Sequence, residues 1–270
     1  MTDLLTPQAW QARLATRFLG RGPVTALTET GSTNADALAA AAAGAPAGAL
    51  FLADRQTAGR GRLGHSWHSP PGAGLYASLI LRPQLAAADL PKLTLAAGLA
   101  VCRALARAAG LAPGLKWPND LLLAGRKCGG ILAETGPSPG GPVVVLGLGL
   151  NSKEPPGGLP AALAARATWL SAHTSAPLER GVILAAILLE LEGVLAELEA
   201  GGFARILAAW RQRDALAGQW LEVVAVDGRV VAGWSLGPDD QGVLQVQEAS
   251  GRRHAVLSGD LRLGRRPRLP

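Results

Sequence analysis

The chain has 270 residues, enough for one large domain or a large one with a small appendage. Hydrophobic residues make up 49% and charged residues 17%, a profile that excludes a disordered chain. The net charge of +6 and the pI near 10.1 favour anionic partners such as nucleotides, acidic proteins or nucleic acid, without choosing among them.

Two cysteines, Cys102 and Cys128, are too few for a disulfide framework and show no metal-ligand spacing. No apolar run approaches the roughly 20 residues of a membrane span, and residues 1–19 lack the continuous apolar core of a signal peptide. A reducing cytoplasm is the simplest compartment. Basic residues cluster only at Arg60/Arg62, Arg126/Lys127 and a tail of Arg262, Arg265, Arg266 and Arg268. A nucleic-acid-binding protein, the reading that the pI alone suggests, would show a basic face or a reader motif, and neither is evident.

In chain order, residues 7–18 read as a short helix with Thr6 as N-cap and Pro7 at its first position. Residues 24–28 make a strand, after which Ser32 or Thr33 caps a helix that stops at Gly44. The apolar run 49–53 reads as a buried strand. It leads into Asp54-Arg55-Gln56-Thr57-Ala58-Gly59-Arg60-Gly61-Arg62-Leu63-Gly64-His65-Ser66-Trp67, where glycines alternate with two arginines. Residues 75–81 form a strand and 89–109 a long amphipathic helix closed by Gly110, with Cys102 as a buried structural thiol. Two short strands then flank Pro118-Asn119-Asp120, and Ala124-Gly125 reverses the chain into the second arm of a hairpin, residues 126–134.

Residues 142–150 make a buried strand ending at Asn151. Its Gly147-Leu148-Gly149 does not continue into a dinucleotide-binding fingerprint, because no third glycine follows and Pro155 and Pro156 oppose the required helix. Residues 152–164 read as a mobile loop passing into Thr168-Trp169-Leu170, and helices follow over 178–200 and 202–216. From Gly218 the pattern changes to four or five short strands, at 220–226, 229–236, 242–247 and 254–258, with turns at Asp227-Gly228, Pro238-Asp239-Asp240 and Ser250-Gly251. These predict a small β-barrel and a domain boundary near residue 217.

The polar signals sit at strand ends. Gly59, Gly61 and Gly64 let a ligand approach the main chain closely, and Arg60 and Arg62 offer planar forks of donors for carboxylate or phosphate oxygens. A solvated basic hairpin turn is the bland alternative. Lys127, between an apolar hairpin and Gly129-Gly130, is either held in a pocket or an ordinary exposed lysine. His65 and His68 lack a third partner for a metal.

With these residues in view, the sequence resembles the biotin protein ligases over nearly its whole length. Gly31-Ser32-Thr33-Asn34, Gln56-Thr57-Ala58-Gly59-Arg60-Gly61-Arg62, Lys116-Trp117-Pro118-Asn119-Asp120 and Arg126-Lys127 with Gly129-Gly130-Ile131-Leu132 match in order and spacing. The resemblance implies an α+β fold: a mixed, mainly antiparallel sheet flanked by helices over residues 1–216, and an SH3-like barrel over 217–270. It implies ATP-dependent activation of biotin as biotinoyl-5'-AMP, then transfer to a lysine of a biotin carboxyl carrier protein of acetyl-CoA carboxylase or a related carboxylase.

By the same resemblance, Ser32, Thr33, Asn34, Gln56, Gly59, Arg60, Gly61, Arg62, Lys127, Gly129 and Gly130 bind biotin. Arg60, Arg62, Trp67, Lys116, Asn119, Asn151 and Trp169 bind the adenylate, and Lys127 and Arg60 are catalytic. Mg²⁺ is carried mainly by the ATP phosphates. The oligomeric state is left open, a homodimer included. His65 and Gly31 stand where many relatives carry a basic and an acidic residue. Before the Ser-Thr-Asn motif there is room for only one helix, so the expectation is a monofunctional ligase without sequence-specific DNA binding. The lipoate and octanoate ligases, similar in fold, are the alternative.

Overall fold

The computed structural model describes residues 6–225 and 228–264. The chain runs α1 (Pro7–Gln11), β1 (Val24–Thr30), α2 (Thr33–Ala42), β2 (Leu50–Gln56), β3 (Gly74–Leu81) and α3 (Leu90–Ala109). The short strands β4 (Gly114–Lys116) and β5 (Asp120–Leu123) precede β6 (Arg126–Gly136) and β7 (Val143–Asn151). Three helices follow, α4 (Ala161–Ala164), α5 (Arg180–Glu199) and α6 (Phe203–Arg211). The chain finishes with β8 (Trp220–Ala225), β9 (Val230–Pro238), β10 (Leu244–Gln247), β11 (Arg253–Val256) and β12 (Gly259–Leu263).

Strands β1 to β7 form one mixed sheet in the order β1-β2-β3-β7-β6-β5-β4. Only β1 and β2 run parallel, joined through α2, while every other pair is antiparallel. Side chains along β3 alternate between the two faces. Leu75, Ala77, Leu79 and Leu81 join the main core, which α3 and α5 cover. Ile80 points the other way into a smaller cluster with Ala37 and Ala41 of α2 and Phe51, Val143 and Val145. The sheet is therefore sandwiched, with α3 and α5 on one face and the single short α2 on the other. Because α2 is only 10 residues long, it covers part of its face, and the uncovered remainder is where the polar strand ends meet.

The β5–β6 hairpin turns at Ala124 (φ 47°) and Gly125 (φ 73°), two successive left-handed residues of the kind a tight hairpin requires. The opening helix is shorter than its pattern predicts. It stops at Gln11 because the amides of Arg17, Phe18 and Leu19 are drawn to the Glu192 carboxylate of α5 at 2.7, 2.7 and 2.9 Å. Burial works against that charge, but the three amides outweigh it and hold the Glu192 carboxyl below its usual range. Likewise α6 ends at Arg211, since residues 213–215 leave the helix to bond with Leu115 of β4. Residues 152–164 are not wholly irregular, for they include α4.

The last five strands form a second, antiparallel sheet in the order β11-β10-β9-β8-β12. Among the described residues no pairing joins β11 to β12, so the sheet does not close into the expected barrel. The Asp227-Gly228 turn falls partly, and Arg265, Arg266 and Arg268 wholly, outside the described residues. Trp220 and Trp234 meet edge to face at 5.2 Å on neighbouring strands. This sheet reaches the first one at Trp117, whose indole Nε1 donates to Gly242 O at 2.9 Å.

Candidate active site

The floor of the site follows from alternation along β7. Val144, Leu146, Leu148 and Leu150 face the main core, and Val143 and Val145 pack under α2. The next two positions on that second face are Gly147 and Gly149. A Cβ would come within 2.2 Å of Asn34 Oδ1 at the first and 2.7 Å of Trp67 Cε2 at the second. Bare backbone is what lets Asn34 and Trp67 lie down on the sheet.

At the α2 end the polar residues form a continuous network. Ser32 caps α2, its Oγ accepting from Ala35 N at 3.5 Å. The amide of Thr33 donates to Gln56 Oε1 at 2.9 Å, and Gln56 Nε2 donates to Ser69 Oγ at 2.9 Å. Asn34 is engaged at both ends: its Nδ2 donates to Glu134 Oε2 at 2.8 Å and its Oδ1 accepts from Ser78 Oγ at 2.5 Å. Ser78 Oγ also lies 2.8 Å from Thr33 Oγ1. Ser32, Thr33, Asn34 and Ser78 are all buried, so this network is satisfied internally and pre-set in shape. Beneath it, the buried Arg180 ties the end of β2 to α5 and β3 through Asp54 Oδ1 at 2.8 Å and Gly74 O at 3.0 Å.

The other end is cationic, and three of its cations, Arg60, Lys116 and Lys127, face carboxylates. Arg60 Nη2 pairs with Glu134 Oε1 at 2.7 Å. Lys127 Nζ contacts Asp120 Oδ1, and Lys116 Nζ stands 3.6 Å from Asp120 Oδ2. Lys127 Nζ also lies over the Trp67 ring, 5.2 Å from its centroid, a cation–π geometry. Arg62 Nη2 donates to Ser258 Oγ at 2.8 Å. Burial lowers the Arg62 pKa and the nearby Asp120 charge opposes that shift. Asn119 uses its side chain on Ile131 O at 2.7 Å, which pins the 118–120 turn to β6.

One cleft takes in most of these groups. Ser32, Thr33, Asn34, Gln56, Arg60, Gly61, Arg62, Trp67, Lys116, Asn119, Lys127 and Gly130 all line it, with Gly259, Asp260 and Leu261 of the second sheet. Asn151 and Trp169 do not. They line an adjoining, more apolar hollow with Tyr76, Pro155 and Leu163, and Trp67 and Lys127 form the shared wall. Asn151 Nδ2 donates to Thr168 O at 2.9 Å, and Lys127 O accepts from Thr168 N at 2.9 Å, which places Trp169 beside Lys127's strand. Gly59 and Gly129 stand behind the cleft. A Cβ would meet Trp67 O at 2.5 Å in one case and Leu150 Cδ2 at 2.4 Å in the other, so both glycines serve close packing.

The biotin/lipoate A/B protein ligase family matches residues 22–151, the span holding every site residue expected from the sequence except Trp169. The biotin--[acetyl-CoA-carboxylase] ligase of Mycobacterium tuberculosis is 36% identical over 273 aligned residues, covering 96% of this chain and 97% of that protein. This chain belongs to the biotin/lipoate protein ligase family. The bifunctional ligase/repressor BirA of Bacillus subtilis is 37% identical over 221 residues, 82% of this chain and 67% of that protein. Among solved structures, the biotin protein ligase from Aquifex aeolicus in complex with biotin and ATP superposes with a TM-score of 0.79. It is 27% identical and covers 90% of this chain and 99% of that one.

Glu134 and Ser258 carry no distinct local signal in the sequence, and Asp120 is marked only as the end of the Lys116–Asp120 motif. Glu134, Asp120 and Ser258 matter here as partners of Arg60, Lys127 and Arg62, and pairings across 74 or 196 residues are invisible to local pattern. Arg60 pairs with Glu134 and Arg62 with Ser258 across those distances in sequence. Ser78 had a usable sign, being the lone aliphatic hydroxyl in a strand of eight buried residues. Among the described residues no group of three His, Cys, Asp or Glu side chains is placed to hold a metal ion, and no helix is long and apolar enough to cross a membrane.

Proposed function

We propose that this ligase condenses biotin with ATP to biotinoyl-5'-AMP and pyrophosphate, then passes the biotinoyl group to a lysine of a biotin carboxyl carrier protein. The observation that carries the reading is the two-ended cleft, a pre-set polar network at one end and a cluster of cations at the other, joined by a glycine floor. Biotin's ureido head has two N–H donors and one carbonyl, its tail is apolar, and its far end is a carboxylate. The order of chemistry along the cleft is the same.

In this reading Ser32, Thr33 and Gln56 meet the ureido head. Asn34, already bonded at both ends, holds the others in place. The tail lies along Gly130 and Trp67. Lys127 receives the carboxylate and orients its attack on the α-phosphorus, and Arg60 and Arg62 stabilise the charge that gathers on the phosphate oxygens. Lys116, Asn119, Asn151 and Trp169 bound the nucleotide, with Trp169 in position to stack on the base across the hollow behind Lys127. The substrate carboxylate displaces Asp120 from Lys127, and the phosphate displaces Glu134 from Arg60.

Mg²⁺ would enter on the ATP phosphates. The carboxylates that line the cleft, Asp120 and Asp260, are engaged by cations, as is Glu134 beside Arg60, so the chain offers no cage of its own, and the ion's contribution is to neutralise phosphate charge. In the second half-reaction the carrier lysine's amine attacks the acyl carbon, and AMP leaves with its charge held by the same arginines. We read the two sheets as two domains dividing near residue 217, acting in a reducing cytoplasm.

Pyrophosphate release from ATP and Mg²⁺, with biotin, lipoate or octanoate offered separately, tests the reading. Turnover with biotin alone is the expected result. Turnover with lipoate or octanoate instead assigns the cleft to the sister activity, and no turnover with any of the three refutes both.

A further inference from the structure

Arg62 is anchored by a residue 196 positions away. Ser258 stands in the turn between β11 and β12, and Gly259, Asp260 and Leu261 directly after it line the cleft. That turn is held against β8. A Cβ at Gly259 would sit 2.7 Å from Val224 O and 3.0 Å from Val223 Cγ1, so the glycine lets the chain run flush against its neighbour and fixes where Ser258 emerges.

The arginine loop needs such an anchor. Arg62 opens a single helical turn, Arg62–Gly64, whose middle residue Leu63 has φ 54°, a left-handed conformation that is strained for an L-residue. Leu63 is half exposed, so packing does not offset that strain. The loop is closed locally by Gly61 N to His65 O at 2.7 Å and His65 N to Arg62 O at 3.1 Å. Among the described residues, two side-chain ties hold it to the rest of the protein, Arg60 to Glu134 on one side and Arg62 to Ser258 on the other.

We propose that Ser258 is a positioning residue for Arg62. Its hydroxyl oxygen accepts from the guanidinium and turns the remaining donors toward the cleft, so that the second sheet sets affinity at the anionic end of the nucleotide. The inference rests on the assignment of Arg62 to phosphate oxygens made above.

The test uses the full chain and four variants, Ser258→Ala, Ser258→Thr, Ser258→Val and Arg62→Ala, with the double variant Ser258→Ala/Arg62→Ala. Steady-state pyrophosphate release gives kcat and the KM for ATP and for biotin, and thermal melting gives Tm. Ser258→Ala should raise the KM for ATP about tenfold, the scale of one charge-assisted hydrogen bond, while kcat and the KM for biotin stay within about twofold. Ser258→Thr should keep the parental KM, and Ser258→Val, near-isosteric with the threonine variant, should lose it, which separates the hydroxyl from packing. In the Arg62→Ala background Ser258→Ala should add nothing. Additive effects, or an unchanged KM for ATP in both Ser258→Ala and Ser258→Val, overturn the inference and leave the Arg62 assignment standing if Arg62→Ala itself is impaired. A parental KM for ATP in Arg62→Ala overturns the assignment and the inference together.

Discussion

Replacing Gly147 by alanine tests whether the bare strand sets the polar-network end of the cleft, where biotin is proposed to bind. The new Cβ would lie 2.2 Å from Asn34 Oδ1, whereas carbon and oxygen ordinarily approach to about 3.3 Å. The overlap of about 1 Å falls on the side chain, because Gly147 is locked in β7 between Ser78 of β3 and Leu132 of β6. Asn34 must swing out, breaking its bonds to the Glu134 carboxylate and to Ser78. Losing one charge-assisted and one neutral hydrogen bond costs about 3 kcal/mol in all, which lowers Tm by about 10 °C in a chain of this size. With Thr33 and Gln56 no longer backed by the network, the KM for biotin should rise at least about tenfold while the KM for ATP changes less. Thermal melting without ligands and biotin titration of pyrophosphate release are the assays. A Tm within about 2 °C of the parent together with an unchanged KM for biotin would refute the argument that Asn34 shapes this end.

Lys127→Ala should cut biotin-dependent pyrophosphate release by at least about 100-fold at saturating substrates, and a parental rate would remove Lys127 from the chemistry. Gly193→Ala, at an exposed position inside α5 where a Cβ meets nothing within 4 Å, should stabilise the fold by about 0.5–1 kcal/mol. A lower Tm would contradict the open space seen there. Cys102 and Cys128 are fully buried, and burial pushes both thiols from 9.0 up to about 12. The folded state therefore keeps protons that the unfolded chain loses, so this part of the stability is complete below pH 9 and drains away as pH climbs toward 12. The slope is at most about 1.4 kcal/mol per pH unit for each thiol. Urea unfolding under reducing conditions at about pH 8 and about pH 10.5 should show this loss in the parent and less of it in Cys102→Ala/Cys128→Ala. Equal losses would show that other groups control alkaline stability.

What the sequence disclosed was mostly what is encoded nearby. Ser32 reads as a helix cap and is one, Ala124-Gly125 reads as a reversing turn and has the two left-handed residues, and Gly110 ends its helix in the left-handed region. The four motifs were legible because each clusters unusual residue types within a few positions, and all four reach one cleft. Helix ends were less legible where distant groups intervene: Glu192 stops α1 and Leu115 unwinds the end of α6. The glycines at 147 and 149 were legible only as a failed nucleotide fingerprint. Their meaning lies in the period of two along β7, which places both beneath side chains from other elements. The open edge of the second sheet had no signature in strand spacing, since short alternating strands serve closed and open sheets alike.

The pairing of the cleft's cations with tethered carboxylates has a consequence for life among competing ions. Chloride, inorganic phosphate and small organic acids are abundant inside any cell, and bare arginines would collect them. Here Arg60 and Lys127 already hold Glu134 and Asp120, and both carboxylates sit at high effective concentration because the sheet carries them. A free monovalent ion gains little by taking their place. In the function proposed above, biotin's ureido head and apolar tail and ATP's nucleoside supply the free energy that evicts Asp120 and Glu134, so the internal ion pairs act as a filter on what the site will hold.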